Sequence, residues 1–227
     1  MKYYIINDCL DEKIVGTQYP QVWDFVKGYK PDPEYNGVFS LYNMYQKGFP
    51  AIDPNISGLK LSNGAKYTDF MSGAFADYLF LLSKEAKSIL EEMNLEEHRF
   101  YPAKVVSLRK KTERDYSMMK IISDNIMYVN FKESLFVEME LFSGTPIKTI
   151  PIESLKEFYD KNTEIESQSK GSYTLKAIST KMLPSFFDLD LDMFHITNPS
   201  RWYISTKLHD RIVESQLTGW EFTEVDL

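Results

Sequence analysis

The chain has 227 residues, 43% of them apolar and 26% charged, enough to fold as one large domain without disulfide or metal staples. Its 26 basic and 33 acidic residues leave a net charge of −7, which argues against nucleic acid or an anionic membrane as the main partner. The single cysteine, Cys9, excludes an internal disulfide, and the scattered His98, His195 and His209 give no zinc-site spacing.

Lys2–Ile6 reads as a short strand stopped by the turn formers Asn7 and Asp8, with Cys9 a small apolar residue beside it. The N-terminus lacks the apolar core of a secretory signal, and no segment approaches the roughly 20 apolar residues of a membrane span. A cytoplasmic protein is expected. Residues 1–66 are irregular, with Pro20, Pro31, Pro33, Asn36-Gly37, Gly48, Pro50 and Pro54 breaking any long helix. The aromatics spaced among them, from Trp23 through Tyr35, Phe39, Tyr42 and Tyr45 to Phe49, are expected to anchor strands and turns onto a core.

From residue 67 onward the pattern becomes regular. Residues 80–101 (FLLSKEAKSILEEMNLEEHRFY) align without a gap on residues 202–223 (WYISTKLHDRIVESQLTGWEFT). Ser83 matches Ser205, Ala86 matches Leu208, Leu90 matches Ile212, Leu95 matches Leu217 and Phe100 matches Phe222. Each copy opens with an apolar-aromatic strand and then a serine suited to an N-cap. Apolar residues three and seven positions on form one helical stripe. Asn94 and Gly219 suit left-handed helix ends, and strands follow at Arg99–Leu108 and Trp220–Val225. Neither helix can bury its stripe alone, so the two serine-capped strand–helix–strand modules are expected to share a core with the sheet between them.

Between the modules, Arg109–Asp115 is a solvated charge run. Ser117–Ile122 and Asn125–Phe131 predict a hairpin turning at Asp124-Asn125, and Phe136–Phe142 adds a strand before Gly144-Thr145-Pro146. A short helix is expected over Ile150–Tyr159, then a polar loop or frayed helix end between Asp160 and Ser172. Lys181–Phe187 is a loop or helix start at Pro184. The predicted fold is α+β, an antiparallel or mixed sheet in a single domain over 1–227, its core lying in 67–227.

The first module's S-x-x-x-x-x-h-L-E-E-h-N-L pattern (h, apolar) and the second module's close at Leu217-Thr218-Gly219-Trp220-Glu221-Phe222 resemble a bacterial family once of unknown function. That family is catalogued among the immunity proteins of polymorphic toxin systems. Asp69 in Thr68-Asp69-Phe70, Ser134 in Phe131-Lys132-Glu133-Ser134, and Asp192-Met193-Phe194 agree with it. Asn130 stands where an aspartate is expected, so no charge-dependent role is carried over at that position. The resemblance covers roughly residues 67–225. It implies a non-enzymatic protein that binds and neutralises a cognate toxin and needs no cofactor, and the net charge of −7 suits a basic partner.

No phosphate loop, H-E-x-x-H, G-x-S-x-G or C-x-x-C is present. Asp188, Asp190 and Asp192, with His195 three residues on, form the strongest constellation. Alternation along a strand would set the three carboxylates on one face, with Leu189 and Leu191 turned into the core. They are candidates for partner contact, and alternatively for a cation. Tyr42 and Tyr45 are the further candidates for partner binding. His209, off the apolar stripe, is expected to be exposed. The remaining alternative is a general protein-interaction module.

Overall fold

The computed structural model describes residues 2–198 and 200–227. Its elements run β1 (Lys2–Asp8), α1 (Glu12–Val15), β2 (Val22–Phe25), α2 (Pro33–Asn36), β3 (Ile56–Leu61), β4 (Phe70–Met71), β5 (Leu79–Leu82) and α3 (Lys84–Glu91). Then come β6 (His98–Ser107), β7 (Thr112–Ile121), β8 (Leu135–Glu140), β9 (Pro146–Ile150), α4 (Leu155–Gln168), β10 (Tyr173–Ser179) and α5 (Pro184–Phe187). The chain closes with β11 (Met193–Ile196), β12 (Arg201–Ser205), α6 (Thr206–Glu214) and β13 (Trp220–Asp226). The fold is α+β with mixed and antiparallel sheets. Contacts divide the chain into two compact units: unit one holds Met1–Ile5, Asp124–Ser205 and Glu224–Leu227, and unit two holds Ile6–Ser123 and Thr206–Thr223.

Unit two is built on a six-stranded sheet in the order β2-β3-β6-β7-β5-β4, antiparallel except where β3 runs parallel to β6. The irregular N-terminal third therefore contributes two strands to the same sheet as the regular part. Inward residues of these strands, among them Leu59, Leu81, Tyr101, Val105 and Met118, form one apolar core. Ser83 caps α3 as its spacing predicts, its hydroxyl accepting from the backbone N–H of Ala86 at 3.1 Å. Helices α3 and α6 pack on each other, burying Ala86, Leu90, Leu208 and Ile212. Arg211 reaches Glu92 at 2.9 Å beside them.

In unit one, β10-β8-β9 form an antiparallel sheet, and β11, β12 and β1 pair antiparallel in a second sheet ordered β11-β12-β1-β13. Its core is strongly aromatic, built from Tyr3, Phe131, Phe136, Phe158, Phe186, Phe194 and Tyr203 with aliphatics between them.

The modules keep their internal order but differ from expectation in how they share structure. Their helices meet, but their strands enter two different sheets. In the first copy the strand order is β4-β5-β7-β6; in the second it is β11-β12-β1-β13. The strand between the module's own two comes from the following hairpin (β7) in one copy and from the chain's beginning (β1) in the other. This is the relation of a circular permutation. The repeat also starts earlier than the alignment shows. Phe70 pairs with Leu82 and Met193 with Ile204, so Asp69 and Asp192 hold equivalent places before their modules.

Two segments depart from the sequence reading. No hairpin turns at Asp124-Asn125; β7 pairs with β6 across the turn at Leu108–Lys111, and residues 126–128 form a 3-10 turn. Asn125 is buried, and its backbone and side-chain N–H groups both donate to the His195 carbonyl, at 3.0 and 3.2 Å, which draws the chain away from β7. Secondly, α4 begins at Leu155 and runs through the polar stretch to Gln168. The Ser154 hydroxyl accepts from the Glu157 N–H at 3.2 Å, and Glu157 accepts from the Glu153 N–H at 2.8 Å. Phe158 and Ile165, seven residues apart, supply the buried stripe, and Lys156–Asp160 and Lys161–Glu164 pairs cover the wet side.

Candidate partner-binding surface

The aspartate triplet lies in unit one and is not a strand. Pro184 opens α5, and the chain leaves it through a turn in which the N–H groups of Leu189 and Asp190 donate to the carbonyls of Phe186 and Phe187. Asp190 takes a φ of +48°, so side-chain alternation does not hold across 188–192. Asp188 and Asp190 are exposed, and Leu189 is exposed rather than turned into the core. Asp192 is buried and accepts from the Ser205 hydroxyl at 2.7 Å. Among the described residues, no group of three or more His, Cys, Asp or Glu side chains is placed to hold a metal ion. The shared carboxylate face that strand alternation predicts does not form, and Asp192 is a structural residue.

The equivalent aspartate in unit two does more. Asp69 accepts from the Ser83 hydroxyl at 2.9 Å through one oxygen, and from the N–H and hydroxyl of Thr218 at 2.8 and 2.9 Å through the other. The backbone N–H groups of Asp69 and Phe70 return bonds to the Thr218 carbonyl. Gly219 sits at φ +110°, where a Cβ would stand 1.8 Å from the Phe70 carbonyl oxygen. Trp220 then stacks on Phe70 with ring centres 3.7 Å apart. The Thr-Gly-Trp run and the Thr-Asp-Phe run are thus two halves of one clasp, whose chemistry is that of packing. His209 is half-buried rather than exposed, edge-on to the Phe222 ring at 5.0 Å.

The remaining sequence candidates, Tyr42 and Tyr45, fall in a different setting in unit two. Asp32-Pro33 starts the one-turn helix α2, and two 3-10 turns follow at Gly37–Phe39 and Leu41–Tyr45. A 3-10 turn has about three residues per turn, so positions i and i+3 share a side. Leu41 and Met44 are buried in the core; Tyr42 and Tyr45 are the other i, i+3 pair and face water with ring centres 5.9 Å apart. Around them Tyr35, Val38, Phe39 and Ile52 also stand out, so that these six side chains are between 37% and 57% exposed. Tyr35, Phe39, Tyr42 and Tyr45, expected to anchor this stretch, therefore stand exposed, and Leu41 and Met44 anchor it instead, while Phe25 packs on the core.

The backbone beneath this surface is firmly held. The Asn43 side-chain amide donates to the Val38 carbonyl at 2.9 Å, and the Asn55 N–H donates to the Phe39 carbonyl at 2.7 Å. Ser40, wholly buried, accepts from the Tyr42 N–H at 3.1 Å. Lys120, on β7 and only 2% exposed, donates through Nζ to the carbonyls of Met44 and Gln46 at 2.8 and 2.6 Å. Desolvation holds its pKa below the ordinary lysine value. The Tyr78 hydroxyl donates to the Tyr45 carbonyl at 3.2 Å. Burial, helped by the neighbouring Tyr42 and Tyr78 hydroxyls, raises the pKa of Tyr45. The result is a rigid, partly apolar surface at low conformational cost, the type of ground on which binding anchors are found.

A groove of about 480 Å³ in unit one runs between α4 and the β8-β9 hairpin. Its charges are already matched, Lys148 with Glu138 at 3.1 Å and Lys161 with Glu164 at 2.7 Å, so it holds less to recognise a ligand. Among the described residues no helix is long and apolar enough to cross a membrane. No family model matches the chain, and no curated protein matches it.

Proposed function

We propose that this protein is a non-enzymatic, cytoplasmic immunity protein that binds a cognate toxin and blocks its active site or its access to substrate. The observation that carries the reading is the rigid surface of exposed Tyr35, Phe39, Tyr42 and Tyr45, set on a buried Leu41–Met44 footing. Exposed aromatic side chains on a firmly held backbone are the kind of group that serves as a binding anchor. The resemblance of the serine-capped modules to immunity proteins supplies the kind of partner. The net charge of −7 suits a basic toxin, chiefly by raising the association rate.

Co-expression with the toxin encoded beside its gene tests the proposal. The wild-type protein rescues growth and co-purifies with the toxin. A Tyr42→Ala, Tyr45→Ala variant with unchanged melting loses roughly 30-fold or more in affinity, the effect of removing one strong anchor. Absence of both rescue and co-purification refutes the immunity reading. Binding that survives with no toxin in the neighbourhood would instead make this a general interaction module.

A further inference from the structure

A smaller cavity opens in unit two, about 240 Å³ in volume and lined by Gln18, Trp23, Asp24, Lys60, Ser62 and Asn63. On β2, Val22 pairs with Leu61 and Asp24 with Lys60, so Trp23 is the extra residue of a bulge. A bulge re-aims its side chain, and Trp23 stands 69% exposed beside the buried Val22. Asp24 is fixed twice, Oδ1 accepting from the Phe25 N–H at 2.8 Å and Oδ2 from Lys60 Nζ at 3.0 Å. The Ser62 hydroxyl donates to the Pro20 carbonyl at 3.2 Å. The Ala65 N–H closes a turn onto the Ser62 carbonyl at 3.1 Å, with Gly64 at φ +96°, and that turn presents Asn63. Asn63 is exposed, and among the described residues its side-chain amide makes no hydrogen bond.

From this arrangement we infer that the cavity is a binding site for a neutral carbohydrate ring, one C–H face of which lies on the Trp23 indole while its hydroxyls reach Asp24, Lys60 and Asn63. The inference shares no residue with the tyrosine surface and goes beyond the toxin-binding function proposed above. The charge of the lining selects the ligand. Asp24 and Lys60 cancel, so an anion would meet the carboxylate and a cation the ammonium. Beyond their pairing, the carboxylate keeps lone pairs to accept from hydroxyls and the ammonium keeps N–H groups to donate, and the Asn63 amide does both. A sugar hydroxyl donates and accepts at once, so neighbouring hydroxyls match this mixed set. The indole gains dispersion contact and loses exposed apolar area against the C–H face. A purely apolar ring would cover Trp23 but strip water from Asp24 and Asn63 without replacing its hydrogen bonds. The volume lies below the roughly 300 Å³ at which drug-sized sites begin, and suits a single ring. The larger groove beside α4 offers matched charges without an exposed aromatic ring.

The test uses the full chain labelled with 5-fluorotryptophan, its Trp23 signal assigned from a Trp23→Phe variant. It is titrated with methyl glucoside, methyl galactoside, methyl mannoside and N-acetylglucosamine, and with sorbitol and tetramethylammonium for comparison. At least one of the cyclic sugars is expected to shift the Trp23 signal saturably, half-complete at about 1–10 mM, the strength of a small ligand on an open site. Sorbitol has hydroxyls but no ring face, and tetramethylammonium has a charge but no hydroxyls; both are expected to leave the signal in place. Saturation transfer to the sugar's own protons is expected to vanish in Trp23→Ala. In Asn63→Ala the affinity should fall about 5-fold, the loss of one hydrogen bond. Both side chains are exposed, so neither variant should change the melting temperature. No Trp23 shift with any sugar at about 50 mM, an equal shift with sorbitol or tetramethylammonium, or shifts confined to Trp202 and Trp220 would each overturn the inference. So would sugar binding that is unchanged in Trp23→Ala or in Asn63→Ala.

Discussion

Phe186, Phe194 and Tyr203 in unit one and Tyr35, Phe39, Tyr42 and Tyr45 in unit two come from similarly aromatic stretches, yet their surroundings are opposite. In unit one the rings form a continuous cluster, Phe186 edge-on to Phe194 at 4.6 Å and Phe194 stacked on Tyr203 at 5.4 Å, all of them buried. In unit two the rings point outward while Leu41 and Met44 hold the chain down. Where strands fix the side-chain period at two, an aromatic on the inner face has nowhere to go but the core. In a chain broken by Pro31, Pro33, Gly37 and Gly48, short 3-10 turns decide which residues face in, and these aromatics face water.

The largest expected effect belongs to the packed side of that comparison. Phe194→Ala should cost about 3–5 kcal/mol by urea denaturation, the range for removing a fully enclosed ring. A loss below about 1 kcal/mol would mean that the cluster is not a core. Next comes the clasp at Asp69, where Gly219→Ala adds both left-handed strain and a collision with the Phe70 carbonyl. It should cost about 3 kcal/mol, and Gly37→Ala, at a positive φ with open space around the new methyl, distinctly less.

A smaller effect appears at alkaline pH. Burial raises Tyr19 and Tyr29 to about 12, with the Asp8 carboxylate adding to the rise at Tyr19, and raises Tyr116 further. Each remains protonated in the folded chain at pH values where it ionises in the unfolded chain. The stability they contribute is therefore complete below about pH 10 and lost as pH climbs towards 12. Lys120 acts in the opposite sense, since its lowered pKa favours folding as pH rises to the ordinary lysine value. Thermal melts from pH 9 to 12 should show a net fall that Tyr29→Phe lessens. The smallest stability change is expected at the exposed rings, where Tyr42→Ala and Tyr45→Ala should each shift folding by no more than about 0.5 kcal/mol. A cost of 2 kcal/mol there would place them in the core and end the contrast.

Much of this fold is legible in the residues. Ser83 before Ala86 and Leu90 announces α3, and the runs at Arg99 and Trp220 announce β6 and β13, because caps and periodicity are local properties. What local pattern cannot convey is which strand comes between the module's own two. Replacing β7 by β1 depends on contacts between distant segments, not on the modules themselves. The clasp is hidden in the sequence, because Asp69 and Asp192 stand 14 and 13 residues before their serines and a gapless alignment passes over them. The second half of α4 is hard to read from sequence because Ile165 is isolated among polar residues, although it falls seven positions from Phe158. Of the candidate contacts, Tyr42 and Tyr45 stand exposed because Leu41 and Met44 take the inward side of the 3-10 turn. Asp188 and Asp190 are exposed too, whereas Asp192 is buried, because the segment turns at Asp190 and strand alternation does not run through it.

Hydrogen exchange of the protein alone and saturated with its toxin bears most directly on the proposed binding surface. Amides across residues 35–52 should gain protection on binding, while those around Asp188 and Asp190 stay unchanged. Protection that gathers at the α5–β11 turn and bypasses the exposed tyrosines would contradict it.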